Sequence, residues 1–463
     1  MKLVVNNVTT KLVSATYKEI AWIDRYLSFK STGLGGAEKA QSLYDVLNTC
    51  FPTGLLDMVR KQAIADRVYV EVSDARKSPV DASAIDLTAP ELGYLRPYQR
   101  EALQAAIEAG RGILELFTGA GKTEIAIGLH LALTQQKPIR TLMIVTAQNL
   151  LHQTAQRYHE RTGKVAGIVG DGSCSIEDFT VATFQSLHAL SKKDAIDLTQ
   201  FDCVLMDECH TTAASTYWEI TKKLTHCYYR IALSATALKR ADKKDLYTVA
   251  ATGNVLYRLS IRDGVELNAV APPSVYIKRF THQNVYPYAF GDVYKHAIAT
   301  STARNLVGIS LIQTAKKPTI AFVKHKEHGE YLLQLIKSTH PDMRVLFVHG
   351  KSKKELQRAK KSIEENGLDV LISTDVLATG TDIPEIMSLV NLAGMKAEIN
   401  VIQKVGRAAR KYKNGESIKD SFEVYDLLDE GTDPEHQSHS WLIKHANERL
   451  DSYKSLGFGV HIM

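Results

Sequence analysis

The chain has 463 residues, of which 44% are hydrophobic and 23% charged, with a formal net charge of +6. At roughly 100–200 residues per domain this predicts two to four packed domains, and the composition excludes global disorder. No run of about 18 apolar residues occurs, so no membrane-spanning helix and no membrane partner are expected. The start, MKLVVNNVTTKLVSATYKE, has neither the apolar stretch nor the cleavage site of a signal peptide. Five cysteines, Cys50, Cys174, Cys203, Cys209 and Cys227, form no C-x-x-C pair. Neither a disulfide framework nor a zinc site is expected, and a reducing cytoplasm fits best. The charge favours a polyanionic partner only weakly, since residues 1–90 hold 11 Lys+Arg against 10 Asp+Glu.

In chain order, residues 1–90 read as a small α/β domain. KLVVNNVTTKLV alternates like a strand, residues 37–50 look helical, RVYVEVSD at 67–74 is a second strand, and SPVDAS at 78–83 is a linker. The texture changes at Leu95. LRPYQREALQAAIEAG has helical spacing and stops at Gly110, a C-cap residue. Apolar runs come next at 112–117, 141–146, 179–184, 201–206 and 228–234, separated by helical stretches. Such runs predict βα units and a parallel sheet buried on both faces. The pattern pauses near Ala271-Pro272-Pro273 and resumes with runs at 319–323, 344–348, 369–374 and 387–393. The fold expected is α/β, with two tandem parallel-sheet domains after the small N-terminal one. Its boundaries are 1–90, 91–260, an interdomain linker at 261–303, and 304–463 ending in a closing helix.

Residues 118–123 read TGAGKT between a strand and a helix, which is the frame of a phosphate-binding loop. Gly119 and Gly121 let successive N–H groups converge on phosphate oxygens, with Thr118 and Ala120 in the same loop. The helix N-terminus adds its partial positive charge. Lys122 is placed to reach the β- and γ-phosphates of ATP, and Thr123 to put its hydroxyl on Mg²⁺. Leu116 stands where the general pattern has its first glycine. Asp207-Glu208-Cys209-His210 follows the buried strand FDCVLM. Ligands bind at the carboxyl ends of strands in open α/β sheets. Asp207 is therefore expected to hold Mg²⁺, and Glu208 to orient and deprotonate the attacking water.

These residues resemble superfamily 2 helicases, and the resemblance runs over roughly residues 91–460. It implies two RecA-like domains with ATP between them. LRPYQ (95–99) is similar to the adenine-reading element, which implies nucleotide contacts for Arg96 and Gln99. TFQSL (183–187) resembles motif Ib, SAT (234–236) motif III, STDVLATGTDIP (373–384) motif V, and QKVGRAAR (403–410) motif VI. The resemblance implies DNA contacts for Asn149, Thr183, Phe184, Gln185 and Thr374, and coupling roles for His210, Ser234 and Thr236. It places Gly380 and Asp382 at the nucleotide. It gives Gln403, Arg407 and Arg410 catalytic roles, the arginines as fingers on the γ-phosphate. Loss of either arginine is expected to slow hydrolysis by about 10³.

LRPYQ, ELNAVAPP (266–273) and Arg304-Asn305 are most similar to the UvsW-type phage branch-migration helicases and the archaeal XPB-like group. That resemblance implies an ATP-dependent enzyme of phage replication, recombination or repair, acting in the host cytoplasm. Its partner would be branched or forked DNA, single- and double-stranded. Two departures stand out. In TAQNLLHQ (146–153) Thr146 and Ala147 replace a Pro-Thr pair, which removes one phosphate-contacting hydroxyl, and Ala237 replaces the proline after SAT. An RNA-remodelling ATPase, and a nucleic-acid clamp or annealing protein with a vestigial ATPase, stay open as alternatives, because nothing in the sequence reads the 2′-hydroxyl. The charged stretch 351–366 could face phosphates, but a solvated amphipathic face is the stronger reading, and the tyrosine-rich 285–294 could stack on bases or serve as linker packing.

Overall fold

The computed structural model describes residues 1–32, 38–208, 214–235, 245–286, 289–349, 353–374, 383, 385–395, 413–414 and 417–463. Two compact units divide the chain, Met1–Arg258 and Leu259–Met463.

The first unit opens with β1 (Lys2–Val5), β2 (Thr9–Ser14), α1 (Tyr17–Leu27), β3 (Ser28–Thr32), β4 (Glu38–Ser42), β5 (Cys50–Pro52), α2 (Leu56–Ala65) and β6 (Glu71–Asp74). Strand order in its four-stranded sheet is β5-β2-β1-β6. Helix α1 starts where Thr16 and Glu19 cap each other's backbone N–H groups. The helix expected over 37–50 is instead strand β4, paired antiparallel with β3, followed by a turn. Side-chain chemistry decides this. Ser42 donates to Asp24, and Asp45 accepts from both the backbone and the side-chain amide of Asn48. Ser, Asp and Asn at these spacings satisfy turns at the expense of a helix.

The N-terminal module does not stand apart from the rest of the first unit. Leu3, Ile23, Leu55 and Val59 share one hydrophobic cluster with Ile113, Val249 and Ala250. Gly54 lies so close that a Cβ there would sit 1.9 Å from the Val249 carbonyl oxygen. Arg111 ties the two parts together, donating to Asn7 and to Thr252 at the end of the helix Asp245–Ala251.

The larger sheet of this unit is built from α3 (Pro97–Ala109), β7 (Arg111–Leu116), α4 (Lys122–Thr134), β8 (Thr141–Val145), α5 (Gln148–Thr162), β9 (Gly167–Gly170), β10 (Ser173–Cys174), β11 (Phe179–Thr183), α6 (Phe184–Lys192), β12 (Cys203–Asp207), α7 (Ala214–Lys223), β13 (Tyr229–Ser234), α8 (Asp245–Ala251) and β14 (Val255–Leu259). Strand order is β10-β9-β11-β8-β12-β13-β7-β14. Strands β9, β11, β8, β12, β13 and β7 pair in parallel. Strands β8, β11, β12 and β13 are buried at every residue. That burial is why they read as unbroken apolar runs rather than alternating ones. Gly110 ends α3 in the left-handed conformation, φ 69°, as expected.

The second unit contains α9 (Ile261–Glu266), β15 (Pro273–His282), α10 (Phe290–Val293), α11 (Thr302–Thr314), β16 (Thr319–Phe322), α12 (Lys326–Thr339), β17 (Val345–Val348), α13 (Lys353–Glu364), β18 (Val370–Ser373), β19 (Ser388–Asn391), β20 (Lys413–Asn414), β21 (Ser417–Ile418), β22 (Phe422–Gly431), α14 (Gln437–Ser455) and β23 (Gly459–Ile462). Its main sheet has the order β17-β18-β16-β19-β22-β15-β23, and its pairs are parallel. This corrects the reading of 261–303 as linker, because β15 runs beside β22 from Pro273↔Phe422 to His282↔Gly431. Pro272-Pro273 reads as a break, but a proline can open a strand because only a donor is lost there.

A buried ionic cluster holds this unit together. Arg304 grips Asp429 through two hydrogen bonds, 2.7 and 3.0 Å long, and His282 Nε2 lies 3.0 Å from the same carboxylate. Arg449 pairs with Asp426 and reaches Asp429 at 3.6 Å, and Tyr453 donates to Asp426. Asn305 donates to the carbonyls of Ile298, Ala299 and Ser301, which fixes the turn before α11. The Arg304-Asn305 pair that carried part of the sequence resemblance is thus a core element of this unit.

Candidate nucleotide site

The loop between β7 and α4 bends because Gly119 and Gly121 take φ of 101° and 79°. Glycine takes left-handed backbone at both positions without the steric cost that a side chain would add. The loop is also backed closely. A Cβ on Gly121 would lie 2.3 Å from Gln99 Nε2. Gln99 donates to the Ala120 carbonyl at 2.7 Å and accepts from Arg96 N–H at 2.9 Å. Tyr98 donates to the same carbonyl at 3.2 Å, and Arg96 donates to the Tyr98 hydroxyl at 3.3 Å. The start of α3 therefore fixes the loop. It leaves Gln99 one amide hydrogen and one lone pair for any further contact.

Lys122 opens α4, and Thr123 follows in its first turn. Asp207 ends β12, Glu208 follows it, and Ser234 ends the neighbouring strand β13, all at the carboxyl edge of the sheet. Lys122 Nζ lies 2.7 Å from Glu208 Oε1, and each side chain is 11% exposed. Glu208 takes a positive φ of 48°, while its N–H is held by the Leu233 carbonyl. Strain at a non-glycine residue, kept in place by a neighbouring strand, is a feature that collects at functional positions. Thr118 buries its hydroxyl without a protein partner among the described residues. The donors gathered here are hydroxyl and carboxylate oxygens, which suit Mg²⁺. Among the described residues, no group of three or more His, Cys, Asp or Glu side chains is arranged to hold a metal ion. A cation here would therefore take one or two protein oxygens and complete its shell with phosphates and water.

The DNA-contact residues implied by the resemblance are placed unevenly. Asn149 is half-buried in the first turn of α5, and Gln185 is exposed. Thr183 is buried, and its hydroxyl caps α6 by bonding Ser186. Phe184 is buried and stacks on His188, ring centres 6.0 Å apart. Of the TFQ triplet, only Gln185 stands in solvent. Thr374, just after β18, is half-buried. Ala147 is the N-cap position of α5 and makes no side-chain cap bond, so the hydroxyl noted as missing from the sequence is missing here. His210, Thr236, Gly380, Asp382, Gln403, Arg407 and Arg410 lie outside the described residues.

Which side chains of α5 meet α4 is not legible in the sequence. Glu124 accepts from Arg157 Nε at 2.5 Å and Arg161 Nε at 2.9 Å, both on α5. Deeper between the same helices, His130 lies 3.0 Å from Thr141 Oγ1 and 3.4 Å from the Tyr158 hydroxyl. Burial pulls the His130 imidazole down to about 4. The i, i+4 spacing of the two arginines was the available signal, but nothing in one sequence told which carboxylate they face.

Two family profiles match the chain. One, described as "Type III restriction enzyme, res subunit", covers residues 93–239, and "Helicase conserved C-terminal domain" covers 302–412. The "ATP-dependent DNA helicase uvsW" of Enterobacteria phage T4 is 25% identical over 77% of this chain and 74% of its own length. The "DNA 3'-5' translocase XPB2" of Sulfurisphaera tokodaii is 23% identical over 76% of this chain and 85% of its own. Among solved structures, a type I restriction HsdR fragment from Vibrio vulnificus YJ016 superposes with a TM-score of 0.55 at 19% identity, covering 92% of this chain and 82% of that one. This last likeness concerns fold alone. Together with the profiles it makes the two parallel-sheet units tandem RecA-like domains.

Proposed function

We propose that this chain, which belongs to the superfamily 2 helicases, uses ATP to remodel forked and four-way DNA junctions in phage replication, recombination or repair. The observation that carries the reading is that the 118–123 loop, after β7, and Asp207 and Glu208, at the end of β12, stand at the carboxyl ends of the two strands that flank β13, with Lys122 paired to Glu208. The two helicase profiles and the similarity to UvsW- and XPB-type proteins make the chain an ATP-dependent helicase; DNA as its substrate is part of the proposal.

In the mechanism, the loop N–H groups and Lys122 take the β- and γ-phosphates of ATP. Lys122 pairs with Glu208, so a phosphate that takes the ammonium would compete with this carboxylate. Glu208 then accepts the proton of the attacking water. Thr123 and Asp207 would hold Mg²⁺, which supplies charge neutralisation at the phosphates. Arg407 and Arg410, as fingers, would stabilise the negative charge that develops on the γ-phosphate. Gly380 and Asp382 would contact the nucleotide. Loss of that phosphate ends the arginine contact, and the two domains exchange tight and loose grips on the DNA backbone, through Asn149 and Gln185 in the first and Thr374 in the second.

The preference for junctions has an energetic basis. Branch migration breaks one base pair while making another, whereas plain unwinding costs about 1.4 kcal/mol per step. A motor that holds mainly phosphates can drive the first. The test is ATP-dependent processing of forked, four-way and blunt DNA in parallel, with an RNA duplex as a fourth substrate. Processing of fork and four-way substrates ahead of the blunt one is expected. Equal activity on all DNA forms removes the junction preference, and preferential action on RNA replaces it with RNA remodelling.

A further inference from the structure

Three segments with different tasks in the proposed cycle meet at one side chain. Glu124 stands in the first turn of α4, immediately after Lys122 and Thr123. Its two carboxylate oxygens take Arg157 and Arg161, which are four apart on α5 and so share a face. Tyr94, just before LRPYQ, donates its hydroxyl to the Glu124 carbonyl at 3.2 Å. The Arg161 guanidinium closes the triangle by lying over the Tyr94 ring, 4.4 Å from its centre. Burial raises the Tyr94 phenol well above its ordinary value, so it stays a donor at any working pH.

We infer that Glu124, with Arg157, Arg161 and Tyr94, is the positioning junction that transmits nucleotide state from the phosphate loop to the DNA-contacting start of α5. The inference rests on the proposed DNA grip at residues 146–153. Helix α5 has 15 residues and is about 22 Å long. A shift of the first turn of α4 by phosphate binding is passed to Arg157 and Arg161 near one end of that helix, and so to Asn149 at the other. The contact is a poor choice for mere fastening. Arg157 is 40% exposed and Arg161 29%, and partly exposed ion pairs add little stability. Tyr158 and Leu151 of α5 are already buried, so packing holds this helix without them. A polar contact of two charge-assisted forks instead specifies geometry.

The experiment measures ATP turnover of the full chain with and without forked DNA, separating kcat from KM for ATP. The variants are Glu124→Gln and the double variant Arg157→Gln/Arg161→Gln, the second leaving α4 untouched. Both are expected to keep basal turnover and KM within about twofold of the parent, while the stimulated kcat falls about tenfold. Arg161→Lys, which keeps the charge, should recover part of the stimulation. Parent-like stimulation in both variants overturns the inference whatever their melting temperatures. Loss of basal turnover in Glu124→Gln, with stimulation intact in the double variant, also overturns it by making Glu124 part of the phosphate site. Absence of DNA stimulation in the parent itself would instead strike the proposed DNA grip, and the junction with it.

Discussion

Replacing Lys122 by Met separates two roles of one residue, because Lys122 pairs with Glu208 as well as standing at the phosphate loop. The substitution keeps the aliphatic stem and removes the charge. Both partners are 11% exposed, so solvent screens them little. Removing one partner of a fully buried pair costs about 3–5 kcal/mol. The residual exposure reduces the expected cost here to about 1–3 kcal/mol by the same principle. A domain of this size loses about 2–4 °C per kcal/mol, so the first unit should melt roughly 2–12 °C lower in nucleotide-free buffer. Glu208→Gln keeps an acceptor for Lys122 and should cost about 1 kcal/mol or less. The double variant Lys122→Met/Glu208→Gln should melt above Lys122→Met alone, because it carries one buried negative charge fewer beside the loop. Scanning calorimetry on the four proteins reads this directly. Equal melting of the parent, Lys122→Met and the double variant would refute the resting pair, and with it the idea that phosphate displaces Glu208 from the lysine.

The geometry carries three other expected outcomes. Gly121→Ala places a methyl group 2.3 Å from Gln99 Nε2 at φ 79°; ATP affinity, measured by titration calorimetry, should fall at least about tenfold, given strain of roughly 1–3 kcal/mol. His130 is buried neutral at about 4 against about 6.5 when unfolded. Its unfolded form binds a proton first, so its contribution is intact above about pH 6.5 and is lost as pH falls toward 4. The loss reaches about 3 kcal/mol, and in urea titrations at pH 7.5 and 5 the His130→Asn variant should show a shallower pH slope. Asp429→Asn strips the carboxylate that faces Arg304, Arg449 and His282 in a fully buried setting. Burial raises this carboxyl, but Arg304 and the hydrogen bonds from His282 and Arg304 outweigh it and hold it below the usual carboxylate range. Its loss should destabilise the second unit by about 3–5 kcal/mol, seen as a lowered transition in calorimetry.

The sequence disclosed most where one residue type can do a job. Gly119, Gly121 and Lys122 state a phosphate loop because backbone conformation and charge leave few substitutes. The central strands are legible because burial on both faces leaves no polar alternation. Strand β4 was misread because AEKAQSLYDVLN carries helical spacing, while the turn formed by Ser42, Asp45 and Asn48 wins locally. Strand β15 was hidden by the two prolines that begin it. Thr183 and Phe184 stand inside a motif-like string, yet the fold uses one as a helix cap and the other in packing. Partner choice across helices was least legible: Arg157 and Arg161 announce a shared face, but only the packing of α5 on α4 shows that Glu124 receives them.

Central to the account is a carboxylate that activates water beside the phosphate loop. The most direct measurement is single-turnover hydrolysis of ATP with forked DNA present, comparing the parent with Glu208→Gln after both have been shown to bind ATP. Hydrolysis by the parent, slowed by at least about 10² in the variant at unchanged affinity, is the predicted result. Equal rates in the two proteins, or a parent that binds ATP and leaves it intact, would contradict it.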